Sequence, residues 1–151
     1  MDNINISNMS ILDLENISDK LISDFDDFWT VSTLKNELEN SRSKYLVAKL
    51  NNQIVGFGGI WKAVDDIHIT NIVVNKNFRR KSVGSIILEN LINLAKQDNI
   101  TSITLEVNCT NIPAIKLYEK FGFKNVGLRK KYYNNTYDAI IMSKDLDKYK
   151  N

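Results

Sequence analysis

Behind Ser10, the apolar residues Ile11, Leu14, Ile17, Leu21 and Phe25 recur at helical spacing, and Asp13 completes a capping box with Ser10. A first helix over 10–25 is predicted, preceded by a strand-like start near Asn3 to Ile6. The period breaks at Asp26 to Thr30, and Leu34 with Leu38 predicts a shorter helix ending before Lys44. Tyr45 to Leu50 and Gln53 to Trp61 then flank Asn51-Asn52, a dipeptide that tolerates positive φ and suits a hairpin. Ile67 to Val74 adds a third strand after a turn at Asp65-Asp66. From Ser85, the residues Ile86, Leu88, Leu91, Ile92 and Ala95 give an amphipathic helix, and Ser102 to Cys109 reads as a strand, completing a βαβ unit. Asn111 to Phe121 is another helix, closed by Gly122, before two terminal strands at Phe123 to Lys131 and Tyr137 to Met142. The Lys- and Asp-rich stretch after Met142 is expected to be a solvated end. These elements add up to a mixed α/β sheet.

The chain has 151 residues, 43% of them hydrophobic, with no repeat or linker, and one domain spanning 1–151 is expected. Twenty basic against eighteen acidic side chains leave a net charge of +2, too balanced for non-specific attraction to nucleic acid, so no nucleic-acid partner is expected. One cysteine, Cys109, and one histidine, His68, are too few for a usual zinc site, and no metal is expected. No apolar run approaches the roughly 20 residues that cross a bilayer. A soluble, cytoplasmic protein without a membrane partner is expected, as a monomer or weak dimer.

Candidate chemistry begins where Val73-Val74 is followed by Arg79-Arg80-Lys81-Ser82-Val83-Gly84-Ser85. A strand, a tight turn and a helix N-terminus make an anion receptor: first-turn amides point outward, the helix dipole favours negative charge, and small residues let phosphate approach the backbone. The run resembles the Arg/Gln-x-x-Gly-x-Gly/Ala motif of the GNAT superfamily of N-acetyltransferases, with Arg79 and Gly84 matched and Ser82 in place of the first glycine. If that position needs positive φ, serine costs on the order of 1 kcal/mol there. The resemblance continues at Asn111-Ile112-Pro113-Ala114-Ile115-Lys116-Leu117-Tyr118-Glu119-Lys120-Phe121-Gly122-Phe123, which carries every fixed position of Asn-x-x-Ala-x-x-Leu-Tyr-x-x-x-Gly-Phe. It spans about Tyr45 to Leu146.

What the resemblance implies is a GNAT-like fold: a mixed, mostly antiparallel sheet of about seven strands flanked by four helices. It also implies acetyl-CoA as cosubstrate, bound by Arg79, Arg80, Lys81, Ser82, Val83, Gly84 and Ser85, with Asn111 and the strand edge at Ile72, Val73 and Val74 meeting the pantetheine arm. Asn111 equally fits a helix N-cap, and Tyr118 lies on the apolar stripe of Ala114, Leu117 and Phe121, where a core aromatic would also sit.

Aminolysis of a thioester needs a neutral amine, a stabilised oxyanion and a protonated leaving sulfur. Tyr118 fits the acid, and a backbone N–H near Ile72 or Val73 the oxyanion donor. Glu106 sits mid-strand on one face with Thr104 and Asn108. Partial burial there would raise its pKa and suit a base acting directly or through water, whereas a strand-edge glutamate would simply reach solvent. Glu106 and Tyr118 resemble the base and acid of the ribosomal-protein-alanine N-acetyltransferases; Asp27-Phe28-Trp29-Thr30 resembles that subfamily's first substrate loop, with Phe28 in place of its usual proline, and Arg129-Lys130-Lys131-Tyr132-Tyr133 and Asp138-Ala139-Ile140-Ile141-Met142 are further segments similar to it. That resemblance implies peptide-binding roles for Trp29, Tyr132 and Tyr133 and a protein N-terminus, such as that of a ribosomal protein, as substrate partner. A small amine or lysine as acceptor, or a silent acyl-CoA-binding module, remain alternatives. His68 and Cys109 are expected to be packing residues.

Overall fold

A computed structural model describes residues 3–25, 30–98, 100–133 and 136–146. Seven strands form one sheet in the order β1-β2-β3-β4-β5-β7-β6. They are β1 (Asn5–Asn8), β2 (Ser43–Leu50), β3 (Gln53–Lys62), β4 (Asp66–Val74), β5 (Ser102–Asn108), β6 (Lys124–Tyr133) and β7 (Tyr137–Asp145). The helices are α1 (Ile11–Ile17), α2 (Leu21–Phe25), α3 (Val31–Glu39), α4 (Val83–Gln97) and α5 (Ile112–Lys120). All pairings are antiparallel except β4 with β5, joined by α4 as the sequence pattern predicts. Asn51 and Asn52 take φ of 51° and 68° in the β2–β3 turn.

Two expectations are corrected. The first helix is two, because Ser18 turns its hydroxyl back onto the Glu15 carbonyl at 2.9 Å while the Ser18 and Lys20 amides make short-range bonds that close the turn. Ile17 and Leu21 are both buried, so the apolar period survives the break that divides the backbone. The second correction concerns the end of the chain: β7 continues to Asp145, and Leu146 is buried with its amide donating to the Thr101 carbonyl at 2.8 Å. Pairing with β5 supplies order that the polar letters Ser143-Lys144-Asp145 do not advertise.

The sheet buries two cores. On one face α4 and α5 pack through Ile87, Leu88, Leu91 and Tyr118 against Ile67, Ile69 and Ile103. On the other, α1 to α3 cover Tyr45, Val47 and Phe57 with Leu14, Phe25 and Leu34. The capping box holds α1 in place: Asp13 accepts the Ser10 amide at 2.9 Å and its own amide donates to the Ser10 hydroxyl at 3.1 Å. Its other oxygen meets Lys49 of β2 at 2.9 Å. Burial alone would raise the Asp13 pKa, but the Ser10 and Lys49 contacts together hold it below its ordinary value of 3.8. Among the described residues no helix is long and apolar enough to cross a membrane.

What positions the site is a split in the sheet. β4 and β5 pair only at Asp66 with Ser102, Ile67 with Ile103 and His68 with Thr104. Just beyond, the β3–β4 register shifts, placing Gly59 opposite Asn71 and Ile60 opposite Ile69, so that Thr70 is an extra residue in β4. Such a bulge bends a strand and raises its twist, and here it accompanies the parting of β4 from β5.

Candidate active site

One cavity, of about 770 Å³, opens between the end of β4, the start of α4 and α5. It is lined by Ile72, Val73, Val74, Arg79, Arg80, Ser82, Val83, Gly84, Ser85, Asn111 and Tyr118, bringing together all the expected cosubstrate residues except Lys81. The Lys81 ammonium lies over the Phe78 ring, 5.5 Å from its centroid. Phe25, Phe78, Pro113, Ala114 and Leu117 complete the lining and give it its apolar part.

The turn before α4 fits a phosphate group by its backbone. Arg80 and Ser82 both take the left-handed conformation, φ 63° and 66°, and such alternation folds successive N–H groups around an anion. The first bond within α4 runs from the Ile86 amide to the Ser82 carbonyl at 3.0 Å, and Ser82 makes no side-chain cap. The amides of Val83, Gly84 and Ser85 therefore lie outside the helical ladder. A Cβ on Gly84 would meet only Leu117 at 3.6 Å and Val74 at 3.8 Å, ordinary contacts, so the fold itself does not require the glycine. What its bare Cα provides is room in the cavity.

Asn111 caps α5 by accepting the Ala114 amide at 3.3 Å and also lines the cavity. Tyr118 is buried at 9% exposure, and its local sequence explains its placement. The Phe123 amide bonds the Tyr118 carbonyl and the Gly122 amide the Glu119 carbonyl, both at 3.0 Å, with Gly122 at φ 93°. This is a Schellman closure, and the accompanying apolar contact is the Tyr118 ring against Phe123, edge to face at 5.8 Å. The core reading and the cavity reading of Tyr118 thus describe one side chain.

A second cavity, of about 390 Å³, lies beside the parting strands and is lined by Glu37, Trp61, His68, Ile69, Thr70, Leu105, Glu106 and Tyr132. Glu106 is about 24% exposed, and at its position β5 pairs with β7 on one side while β4 has parted from it on the other, so it faces this cavity. Its Oε2 is buried and makes no well-formed hydrogen bond; Arg129 Nε stands 3.2 Å away as an ion pair. The Arg129 guanidinium also lies 4.9 Å over the Tyr132 ring. Tyr132 stands in an irregular stretch of β6, where Lys131 takes φ 51° and its amide donates to Asp138 at 2.8 Å.

Trp29 lies outside the described residues, as does the side chain of Tyr133, whose backbone ends β6. Sequence reasoning passed over Glu37 and Trp61 and gave Arg129 no role. Their sole signal was a polar or aromatic residue at an element's end. His68, expected to be a packing residue, lines this cavity with Nε2 3.3 Å from Asp66. Cys109 is half-buried, its amide bonded to the Asp138 carbonyl at 3.0 Å.

Residues 13–123 match the acetyltransferase (GNAT) family. A Bacillus subtilis (strain 168) protein, provisionally described as a [ribosomal protein bS18]-alanine N-acetyltransferase, is 36% identical over 139 residues, 91% of this chain and 92% of the relative. The Haemophilus influenzae [ribosomal protein bS18]-alanine N-acetyltransferase is 37% identical over 121 residues, 76% of this chain and 80% of its own length. Among solved structures, the ribosomal-protein-S18-alanine N-acetyltransferase from Escherichia coli superposes with a TM-score of 0.85 at 26% identity, covering 95% of this chain and 94% of that one.

Proposed function

The chain belongs to the acetyltransferase (GNAT) family and is an acetyl-CoA-dependent N-acetyltransferase, and we propose that its acceptor is the α-amine of a protein N-terminus, of the ribosomal-protein-alanine kind. The observation that carries this reading is a pair of cavities set along β4 beyond its parting from β5: one with a phosphate-fitting turn, the other polar, with Glu106 and Tyr132 in its wall. All described strands share one sheet, which supports a single acetyltransferase domain over 1–151.

Bound acetyl-CoA supplies an activated acetyl thioester. The backbone amides of Val83 to Ser85, with Arg79 and Arg80, hold the pyrophosphate, and Ile72 to Val74 offer unpaired strand edge to the pantetheine amides. An N–H near Ile72 or Val73 stabilises the developing oxyanion. Glu106 accepts the amine proton, directly or through water, in a cavity with room for both, and Arg129 keeps its carboxylate oriented. Tyr118 Oη gives a proton to the departing sulfur. With ordinary values of about 10 for a phenol and about 8.5 for a thiol, that transfer is uphill by roughly 2 kcal/mol. It therefore has to accompany C–S cleavage rather than follow it.

An α-amine, with an ordinary pKa near 7.7–8.0, is substantially neutral at physiological pH, whereas a lysine near about 10.4 is not, so a modest base serves the former. Trp29, Tyr132 and Tyr133 are assigned to the peptide. A second reading, a small cationic amine, is favoured by Glu37 and Glu106 together in the polar cavity. One experiment separates the two. A short peptide beginning with alanine is expected to have a higher kcat/KM than the same peptide with a blocked N-terminus and a free lysine, and than a panel of small polyamines. Mass spectrometry that found acetyl groups only on lysine or the small amines would overturn the N-terminal reading.

A further inference from the structure

Along β4 the two cavities divide the strand between them. His68, Ile69 and Thr70 line the polar cavity, and Ile72, Val73 and Val74 line the cosubstrate cavity. Asn71 is the single residue at the boundary. It sits opposite Gly59, which itself pairs with Tyr45, and directly opposed residues point to the same face. The Tyr45 ring occupies that face over Gly59, where a Cβ would come within 2.3 Å of it. Asn71 therefore projects toward the α1–α3 side of the sheet, the side on which Tyr45 is packed.

Both polar atoms of the Asn71 carboxamide, Oδ1 and Nδ2, are buried without a hydrogen-bond partner. The hydroxyl of its neighbour Thr70 and Oε2 of Glu106 are likewise buried without one. Nearly all buried polar groups in folded proteins are satisfied, because an unpaired one has lost its hydration without a replacement. Asn71, in the strand between the residues that line the two cavities, and Thr70 beside it are two such groups, whereas Glu106 Oε2 has Arg129 Nε at 3.2 Å as an ion pair.

We propose that Asn71 is a positioning residue that hydrogen-bonds the N-terminal residue of the acceptor peptide: its Nδ2–H donates to the first carbonyl oxygen and its Oδ1 accepts an N–H of the α-amine. This rests on the N-terminal reading above and adds a source of specificity to it. A carboxamide offers one acceptor and two donors side by side, complementary to an amine with a carbonyl one carbon away. A lysine ε-amine or an alkyl polyamine presents the amine without the carbonyl and would leave the buried Nδ2 unpaired. Sites built around a buried hydrogen bond reject ligands that lack the partner far more strongly than apolar pockets do.

The test pairs a protein change with a substrate change. The probes are an alanine-first peptide and its analogue in which an E-alkene replaces the first peptide bond, preserving shape while removing the carbonyl. The wild-type protein is expected to favour the peptide by roughly tenfold to a hundredfold in kcat/KM. Asn71→Leu should lose a similar factor on the peptide and little on the alkene, with acetyl-CoA affinity unchanged and a Tm equal to or above wild type, since an unsatisfied polar group has left the interior. Asn71→Ala, which adds no volume, should show the same loss of preference if the leucine variant does not fold. Equal losses on both substrates, or full activity of either variant on the peptide, would overturn the assignment. A wild-type protein that acetylates no peptide α-amine would overturn the N-terminal reading as well, and that result needs no variant.

Discussion

Tyr118 packs in its helix closure and is proposed as the acid, and one substitution separates the two. Its ring fills the Schellman closure against Phe123, and its hydroxyl belongs to the cavity. Tyr118→Phe keeps the ring contact and removes the proton, so kcat should fall by about 10²- to 10⁴-fold while acetyl-CoA affinity and Tm stay near wild type. Single-turnover kinetics beside a melting curve would check this; an unchanged chemical rate would leave Tyr118 as a packing residue. At this scale the sequence was legible wherever a side chain's placement is set by its own helix turn, as with Tyr118 and Asn111. It was not legible for Arg129, which reaches Glu106 from β6 across the intervening β7, because no local pattern encodes a contact between strands that are not neighbours.

The turn into α4 shows how an element carries a cost at its own site. Ser82 holds φ 66°, where a side chain costs on the order of 1 kcal/mol. Ser82→Gly relieves that strain, though glycine's greater freedom in the unfolded chain offsets part of the gain. The expected outcome is a Tm unchanged or raised by up to about 2–4 °C and an acetyl-CoA affinity equal or tighter. Gly84→Leu, by contrast, should fill the space beside Val74 and Leu117 and weaken cosubstrate binding at least about tenfold, an effect of roughly 1.4 kcal/mol. Calorimetry on both variants decides; undiminished affinity in a folded Gly84→Leu protein would move the phosphates elsewhere. The need for positive φ at position 82 was only conditional in the letters, since a serine there reads as an ordinary helix cap.

Across the whole molecule, two parts of the sheet, β1 to β4 and β5 with β7 and β6, are joined at one end by three residue pairs and part beyond His68 and Thr104. A cosubstrate seated between them binds the folded protein alone, so acetyl-CoA at a hundred times its Kd should add about 2.7 kcal/mol of stability. Hydrogen exchange should slow most at Ile69 to Val74, where unpaired strand edge gains partners. A melting series with acetyl-CoA, followed by exchange mass spectrometry, would check both; slowing confined to the α4 turn would mean that the strand edge stays unengaged.

The sequence by itself determined the order of the elements and most of their extents, though not the division of the first helix, because apolar period, the Ser10–Asp13 box, the Asn51-Asn52 turn and the Gly122 closure are interactions among residues close in the chain. The turn proposed for the cosubstrate is likewise one continuous stretch, legible as a motif. Tertiary structure alone decided the rest. That Ser143 to Leu146 are ordered depends on β5 lying alongside. Similarly, Glu37, Trp61 and Tyr132 share a cavity with Glu106 because sheet order and helix packing bring distant segments together. Asn71 reads as one more strand residue until the bulge at Thr70 and the parting of β4 from β5 leave its carboxamide buried and unpartnered, a consequence of long-range pairing that no window of sequence contains.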